Sequence, residues 1–106
     1  MVINPTTLKW TAPTQNTDGE PITYELDYEM GAGEPLEPMY IVVGSLQTDG
    51  VYQAPLSDAE FDEGENTIAL RAIRRDVPDL KSAWSNAVTF EIARVVPKAP
   101  FAVAVA

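Results

Sequence analysis

The chain of 106 residues contains no cysteine and no histidine. Without cysteine it has no disulfide, no thiol nucleophile and no thiolate metal ligand. Without histidine it lacks the most common general base and the most common zinc ligand. Basic residues are also scarce, since 7 Lys and Arg stand against 16 Asp and Glu, which gives a formal charge of −9. We therefore expect no nucleic-acid partner, because phosphate backbones repel such a surface.

Catalytic and metal-binding motifs are missing as well. None of the serines lies in a Gly-x-Ser-x-Gly turn, and there is no glycine-rich phosphate loop. Carboxylates are paired in several places, but any acidic chain has such pairs, and they do not by themselves indicate acid–base catalysis. The acidic runs 18–20 and 58–65 lack the spacing of a calcium-binding EF-hand loop. We expect a protein that is not an enzyme and that uses no cofactor or metal.

Signals for membrane insertion or export are not visible either. No apolar run approaches the length of a membrane span. Residues 1–5 provide neither the basic region nor the apolar region of a secretory signal. We therefore expect no membrane partner and a protein that folds in a cytoplasm.

The sequence does contain strong strand patterns, and the strongest one lies between residues 66 and 74. There Ile68, Leu70 and Ala72 occupy every second position, and Arg71 lies among the residues between them. A period of two predicts a strand with one face in a core and one face toward water. A chain of this length fits one domain, so we expect the other strands to pack around this one.

Five further runs predict strands, and turn signals separate them. The run 22–29 alternates most cleanly, whereas the prolines of 31–38 predict a loop. Pro55 predicts that the run 51–56 is an edge strand, because proline lacks a backbone donor. No window predicts an amphipathic helix. The predicted fold is all-β, with two antiparallel sheets packed as a sandwich. The five runs are residues 6–11, 22–29, 39–43, 51–56 and 87–93.

Three stretches, in this order and spacing, resemble a fibronectin type III domain. Leu8–Trp10 with Pro13 is similar to the second strand of that family and its core tryptophan. Gly19–Tyr28 is similar to the third strand. Gly64–Ile73, followed by Ser82–Ser85, is similar to the sixth strand and the approach to the seventh. The resemblance implies an immunoglobulin-like β-sandwich of the fibronectin type III type over residues 1–94.

The resemblance also carries expectations about single residues. The family usually has a tyrosine at the start of the sixth strand, and Asn66 stands there in this chain. We expect its amide to bond back to the corner that precedes the strand. Trp84 resembles part of a tryptophan–serine motif and is predicted either to stack on Arg71 or to cover the edge of the core.

Three carboxylates lie on one face of the predicted strand 22–29. They are Glu25, Asp27 and Glu29, and the family places this strand beside the one that carries Arg71. Opposite charges that face each other across a ladder attract, so we expect an ion pair there. The alternative is an acidic docking surface for a basic partner.

The C-terminal residues 95–106 form a separate segment. Pro97 and Pro100 end the last strand, and every residue from 101 to 106 is apolar. A terminus normally frays unless something holds it. We therefore predict that this tail anchors to a neighbouring chain through Phe101, Val103 and Val105, for example by adding a strand. The alternative is that it folds back along an open sheet edge of its own domain.

These features favour a structural module over other classes of protein. Such fibronectin-like domains occur on bacteriophage virion proteins, and Asp18–Tyr24 is similar in style to them. We expect a virion accessory protein of a tail, baseplate, collar or capsid, which contacts other protein subunits or further copies of itself. The alternative is a glycan-binding or cell-surface module, on a cell surface or secreted, that uses Tyr40, Tyr52 and Trp84.

Overall fold

The computed structural model describes all residues from Met1 to Ala106. It contains eight strands and one 3₁₀ turn, at Asp58–Glu60, and no helix that is long and apolar enough to cross a membrane. The strands are β1 (Val2–Ile3), β2 (Thr7–Trp10), β3 (Leu26–Ala32), β4 (Glu37–Val42), β5 (Ser45–Leu46), β6 (Tyr52–Pro55), β7 (Gly64–Arg74) and β8 (Val88–Ile92).

The strands form two sheets that face each other across one core, which is the arrangement of a β-sandwich. The larger sheet has the order β1-β8-β7-β3-β4, and the smaller sheet has the order β2-β6-β5. Side chains from both sheets meet in the core, so burial of their apolar surface holds the two layers together. The core consists of Met30, Val42, Ala54, Phe61, Ile68, Leu70, Phe90 and Ile92.

The predicted central strand is confirmed as β7, which pairs with β3 on one side and with β8 on the other. Ile68 and Leu70 point into the core, as their period of two predicts. The opposite face of β7 was expected to be wet, but Ala69 and Ile73 on that face are buried too. The ring of Trp84 lies over Gly31, the residue that pairs with Ala69, and so shields this face from water.

The predicted boundaries of the third strand and of the loop after it are wrong. The strand begins at Leu26 rather than at residue 22, and it continues through Gly31 to Ala32. Tyr24 lies outside the strand, and its hydroxyl donates to the Asn16 side chain in the preceding loop. Pro38 lies inside β4 and pairs with Gly31. A proline is tolerated there because β4 is the edge of the sheet and needs no donor on its free side.

The prediction that residues 51–56 form an edge strand is also wrong. Strand β6 lies in the middle of the smaller sheet, between β2 and β5. Pro55 fits because it is the last residue of the strand, beyond the point where β5 pairs with β6. The sheets are also not wholly antiparallel, since β1 pairs with β8 in parallel. Strands β1 and β5 have two residues each, too few for a visible period.

The corner below β7 is closed by the side chains of Phe61, Asn66 and Arg94. The Phe61 ring is buried and packs edge-on against Phe90, with 5.0 Å between the ring centres. The Asn66 amide donates to the carbonyl oxygens of Asp62 and Gly64 at 2.8 and 3.1 Å, which confirms its predicted corner bond. Arg94 donates to the Phe61 carbonyl oxygen at 2.6 Å, and this bond is the last one before the tail begins.

Candidate interaction surfaces

The C-terminal tail, residues 95–106, projects from the sandwich as an apolar arm. It has no regular secondary structure, and all its residues are exposed. None of them forms a hydrogen bond with the rest of the chain. The whole molecule measures 78 × 32 × 23 Å, so its long axis is more than twice either of the others. In this structure the tail does not fold back on its own domain.

The three predicted contact residues of the tail are among its most exposed side chains. Phe101 is 92% exposed, Val103 is 84% exposed and Val105 is 99% exposed. Ala102 adopts a positive φ of 55°, which is a left-handed conformation, so the segment is not an extended strand here. A run of large apolar side chains in water is typical of an interaction site. That this tail anchors to a neighbouring chain stays a prediction.

The three carboxylates predicted to share one face, Glu25, Asp27 and Glu29, are all paired with arginines. The Arg71 guanidinium donates to a Glu29 carboxylate oxygen at 2.7 Å, directly across the ladder between β7 and β3. Arg75 contacts both Glu25 and Asp27. The predicted cross-strand ion pair is therefore confirmed. Because the carboxylates already have partners, a basic ligand would have to displace arginines before it could bind to this face.

Trp84 takes the stacked position that the resemblance implies. The guanidinium carbon of Arg71 lies 4.2 Å from the centre of the Trp84 ring, within the range of a cation–π contact. The same arginine pairs with Glu29, so ring, cation and carboxylate form one layer on the outer face of the larger sheet. The predicted stacking of Trp84 on Arg71 is confirmed, and the ring covers the outer face of β7 rather than the edge of the core.

The aromatic side chains proposed for glycan binding do not form one platform. Tyr52 stacks against Trp10 between the two sheets, with 5.6 Å between the ring centres and 10° between the planes. The Tyr40 hydroxyl donates to Glu60 at 2.7 Å, and Trp84 lies on the outer face of the larger sheet. Each ring is thus engaged in a different part of the molecule, and no shared flat surface is left for a sugar ring.

A groove along the outer side of β2 was not foreseen from the sequence. Its volume is about 520 Å³. Strands β2 and β7 and the segment 82–88 line it, and we call it the β2 groove. No local pattern in the sequence predicts it, because its walls are segments far apart in the chain, β2 on one side and residues 82–88 on the other. Its lining includes Leu8, Trp10, Ile68, Ala72, Ser85 and Val88.

The structure contains no cluster of three or more acidic side chains that could hold a metal ion. No protein-family model, curated protein or solved structure matches the chain. The exposed tail and the β2 groove are therefore the features on which a function can be based.

Proposed function

We propose that the protein is a non-enzymatic structural module that makes protein–protein contacts within a larger assembly. Its body is a sandwich of the fibronectin type III type, and residues 95–106 are the anchor. The observation that carries this proposal is the bare apolar tail, with Phe101 92% exposed and Val105 99% exposed. The tail forms no hydrogen bond with the body, so its apolar surface is free for a partner.

The apolar side chains of the tail can contribute favourable energy to binding. Complete burial of one Val or Phe side chain contributes about 1.5–3 kcal/mol. Burial of three such side chains, at Phe101, Val103 and Val105, together with main-chain hydrogen bonds, would offset the cost of association and of ordering the tail. The charge of −9 on the chain keeps the free protein soluble until it assembles.

The assembly that fits best is a bacteriophage virion, in which the chain would serve as an accessory protein of a tail, baseplate, collar or capsid. This choice rests on the similarity of stretches such as Asp18–Tyr24 to those of virion proteins, and on the analogy of the fold. The glycan-binding alternative has no specific support, since Tyr40, Tyr52 and Trp84 point to different surroundings.

The direct test compares the full chain with a chain that ends at Val96, in a co-sedimentation assay with the native particle. We expect the shortened chain to remain folded and to lose at least tenfold in binding. A full-length variant with Phe101, Val103 and Val105 all changed to Ser should lose binding to the same extent. Ile41→Ser, at a residue that is 49% exposed on β4, is the matched control and should bind normally.

One result would contradict the proposal directly. If the shortened chain binds the particle as well as the full chain does, the tail is not the anchor. A melting temperature lower by several degrees with binding intact would then show that the tail belongs to the fold of the domain.

A further inference from the structure

The β2 groove has the properties of an unfilled strand position. Val88, Phe90 and Ile92 point to the same side of β8, toward the core. Phe90 is 4% exposed and Ile92 is 1% exposed, but Val88 is 45% exposed. Val88 pairs with Ile68, which is buried, so its exposure results from the missing neighbour and not from its direction. One more strand beside β2 would cover it.

The backbone of β2 offers the hydrogen bonds that such a strand needs. β2 is the first strand of the smaller sheet and pairs only with β6, so its outer edge has no partner strand. The other wall of the groove, the segment 82–88, is held against β7 by backbone hydrogen bonds. The Ser82 and Ser85 N–H groups donate to the carbonyl oxygens of Ala72 and Leu70 at 2.8 and 2.7 Å. An open edge beside an apolar groove is a typical site for strand addition.

Residues 101–106 of the tail match this site in length and in chemistry. Phe101, Val103 and Val105 alternate with alanines. An extended tail therefore has one face of large apolar side chains, which could enter the groove, and one face of alanine methyl groups. Six extended residues span about 20 Å, which is the length of an ordinary strand. Ala102 now has a φ of 55°, an unfavourable conformation for alanine. Pairing as a strand would relieve it.

The geometry favours the tail of another copy over the chain's own tail. Arg94 is fixed to the corner near Phe61, and the tail then runs away from the body. Pro97 and Pro100 restrict their own φ angles and hold the residues before them in extended conformations. These restrictions keep residues 96, 97, 99 and 100 extended, and in this structure the tail forms no hydrogen bond with its own β2.

We propose that residues 101–106 of one copy bind in the β2 groove of a second copy, as an added strand with Phe101 and Val103 against Leu8 and Val88. The inference deepens the proposed function, on which it rests, by naming the partner as a further copy of the chain. Self-association through an arm and a groove would let copies join into a ring or a chain within an assembly.

The first test distinguishes the chain that supplies the tail from the chain that supplies the groove. Val88→Lys puts a charge in the groove at a side chain that is already half-exposed, and Ile41→Lys is the control at a similar exposure on β4. We expect the full chain and Ile41→Lys to sediment at a multiple of the 11.6 kDa mass of one chain. The Val88→Lys chain and the chain ending at Val96 should each lose self-association at least tenfold. Mixed together, these two should pair, because one keeps its tail and the other keeps its groove.

The second test uses the absence of native cysteine. A chain with Val88→Cys is mixed with one carrying Val103→Cys, and a disulfide between the two different chains is expected under mild oxidation. Val103→Cys mixed with Ile41→Cys is the control and should give no such product. This test does not depend on a charged variant that fails to fold.

Three results would overturn the inference. The full chain could stay monomeric at every concentration, the defective pair could fail to complement, or Ile41→Lys alone could abolish association. If any of these occurs while loss of the tail still abolishes binding to the native particle, the inference falls and the proposed function stands. If instead the copies associate but the shortened chain binds the particle normally, the proposed function falls.

Discussion

Strand β7 and the C-terminal tail have the same kind of sequence and opposite environments. In both, large apolar residues occupy every second position: Ile68 and Leu70 in β7, and Phe101, Val103 and Val105 in the tail. β7 has a strand on each side and is buried, whereas the tail has no neighbour and is exposed. Alternation makes a segment competent to be a strand, but the strand forms only where another segment supplies hydrogen bonds and apolar contact.

The largest expected difference between the two segments is in the free energy of unfolding, when one apolar side chain is shortened in β7 and one in the tail. Ile68→Ala should lower the free energy of unfolding by about 2–5 kcal/mol, because Ile68 is 1% exposed and its loss leaves a cavity. Val103→Ala should not change the stability of the isolated chain. Denaturant unfolding of the two variants beside the parent chain measures the contrast. A loss of stability in Val103→Ala would show that the tail packs on its own body.

A smaller effect is expected from the cover over the outer face of β7. A Cβ atom at Gly31 would lie 2.6 Å from the Trp84 ring, so Gly31→Ala should displace the ring and expose Ala69. We expect a loss of about 1–3 kcal/mol in the free energy of unfolding. In a Trp84→Ala background the same change should cost less, since the clash is gone. Additive losses in this double-mutant cycle would mean that Trp84 does not rest on Gly31.

The smallest expected effect concerns β4. This strand has one neighbouring strand, whereas β7 has two and the tail has none. Burial, together with the Glu60 carboxylate beside the hydroxyl, raises the pKa of Tyr40 to about 12, from an ordinary value of 10.0. Between these two pH values the unfolded chain releases this proton and the folded chain keeps it. The contribution of Tyr40 to stability is therefore complete below pH 10.0 and is lost as the pH rises toward about 12.

The ultraviolet absorbance of tyrosinate follows this titration directly. We expect Tyr40→Phe to remove the step near pH 12, and Glu60→Gln to move it to lower pH, because the negative charge beside the hydroxyl is gone. Unfolding followed in parallel should show less alkaline loss of stability in Tyr40→Phe. If the Tyr40 hydroxyl instead titrates at its ordinary pKa, the Tyr40 side chain on β4 is exposed to solvent, as the tail is, and is not paired with Glu60.

Local patterning was informative about which side of a strand is apolar and about close cross-strand partners. It predicted the burial of Ile68 and Leu70. The family resemblance supplied the neighbouring strands that place Arg71 opposite the carboxylates of residues 25–29, and also the corner bond of Asn66. Local patterning failed where the number of neighbouring strands mattered. Pro55 indicated an edge, but β6 is central. Pro55 pairs with Thr7 of β2 and lies beyond the residues that pair with β5, so no β5 residue requires its missing donor.

By itself the sequence determined that this is an acidic all-β chain with one dominant strand and an apolar C-terminal run at residues 101–106, because composition and period are local properties. Only the tertiary structure decided that β1 pairs in parallel with β8, that Trp84 buries the outer face of β7 and that β2 has an open edge. These features depend on which distant segments meet. The four residues of β2 do not show by their pattern whether a strand pairs on one side or on both. In the structure only one side of β2 is paired, and the β2 groove lies along the other side.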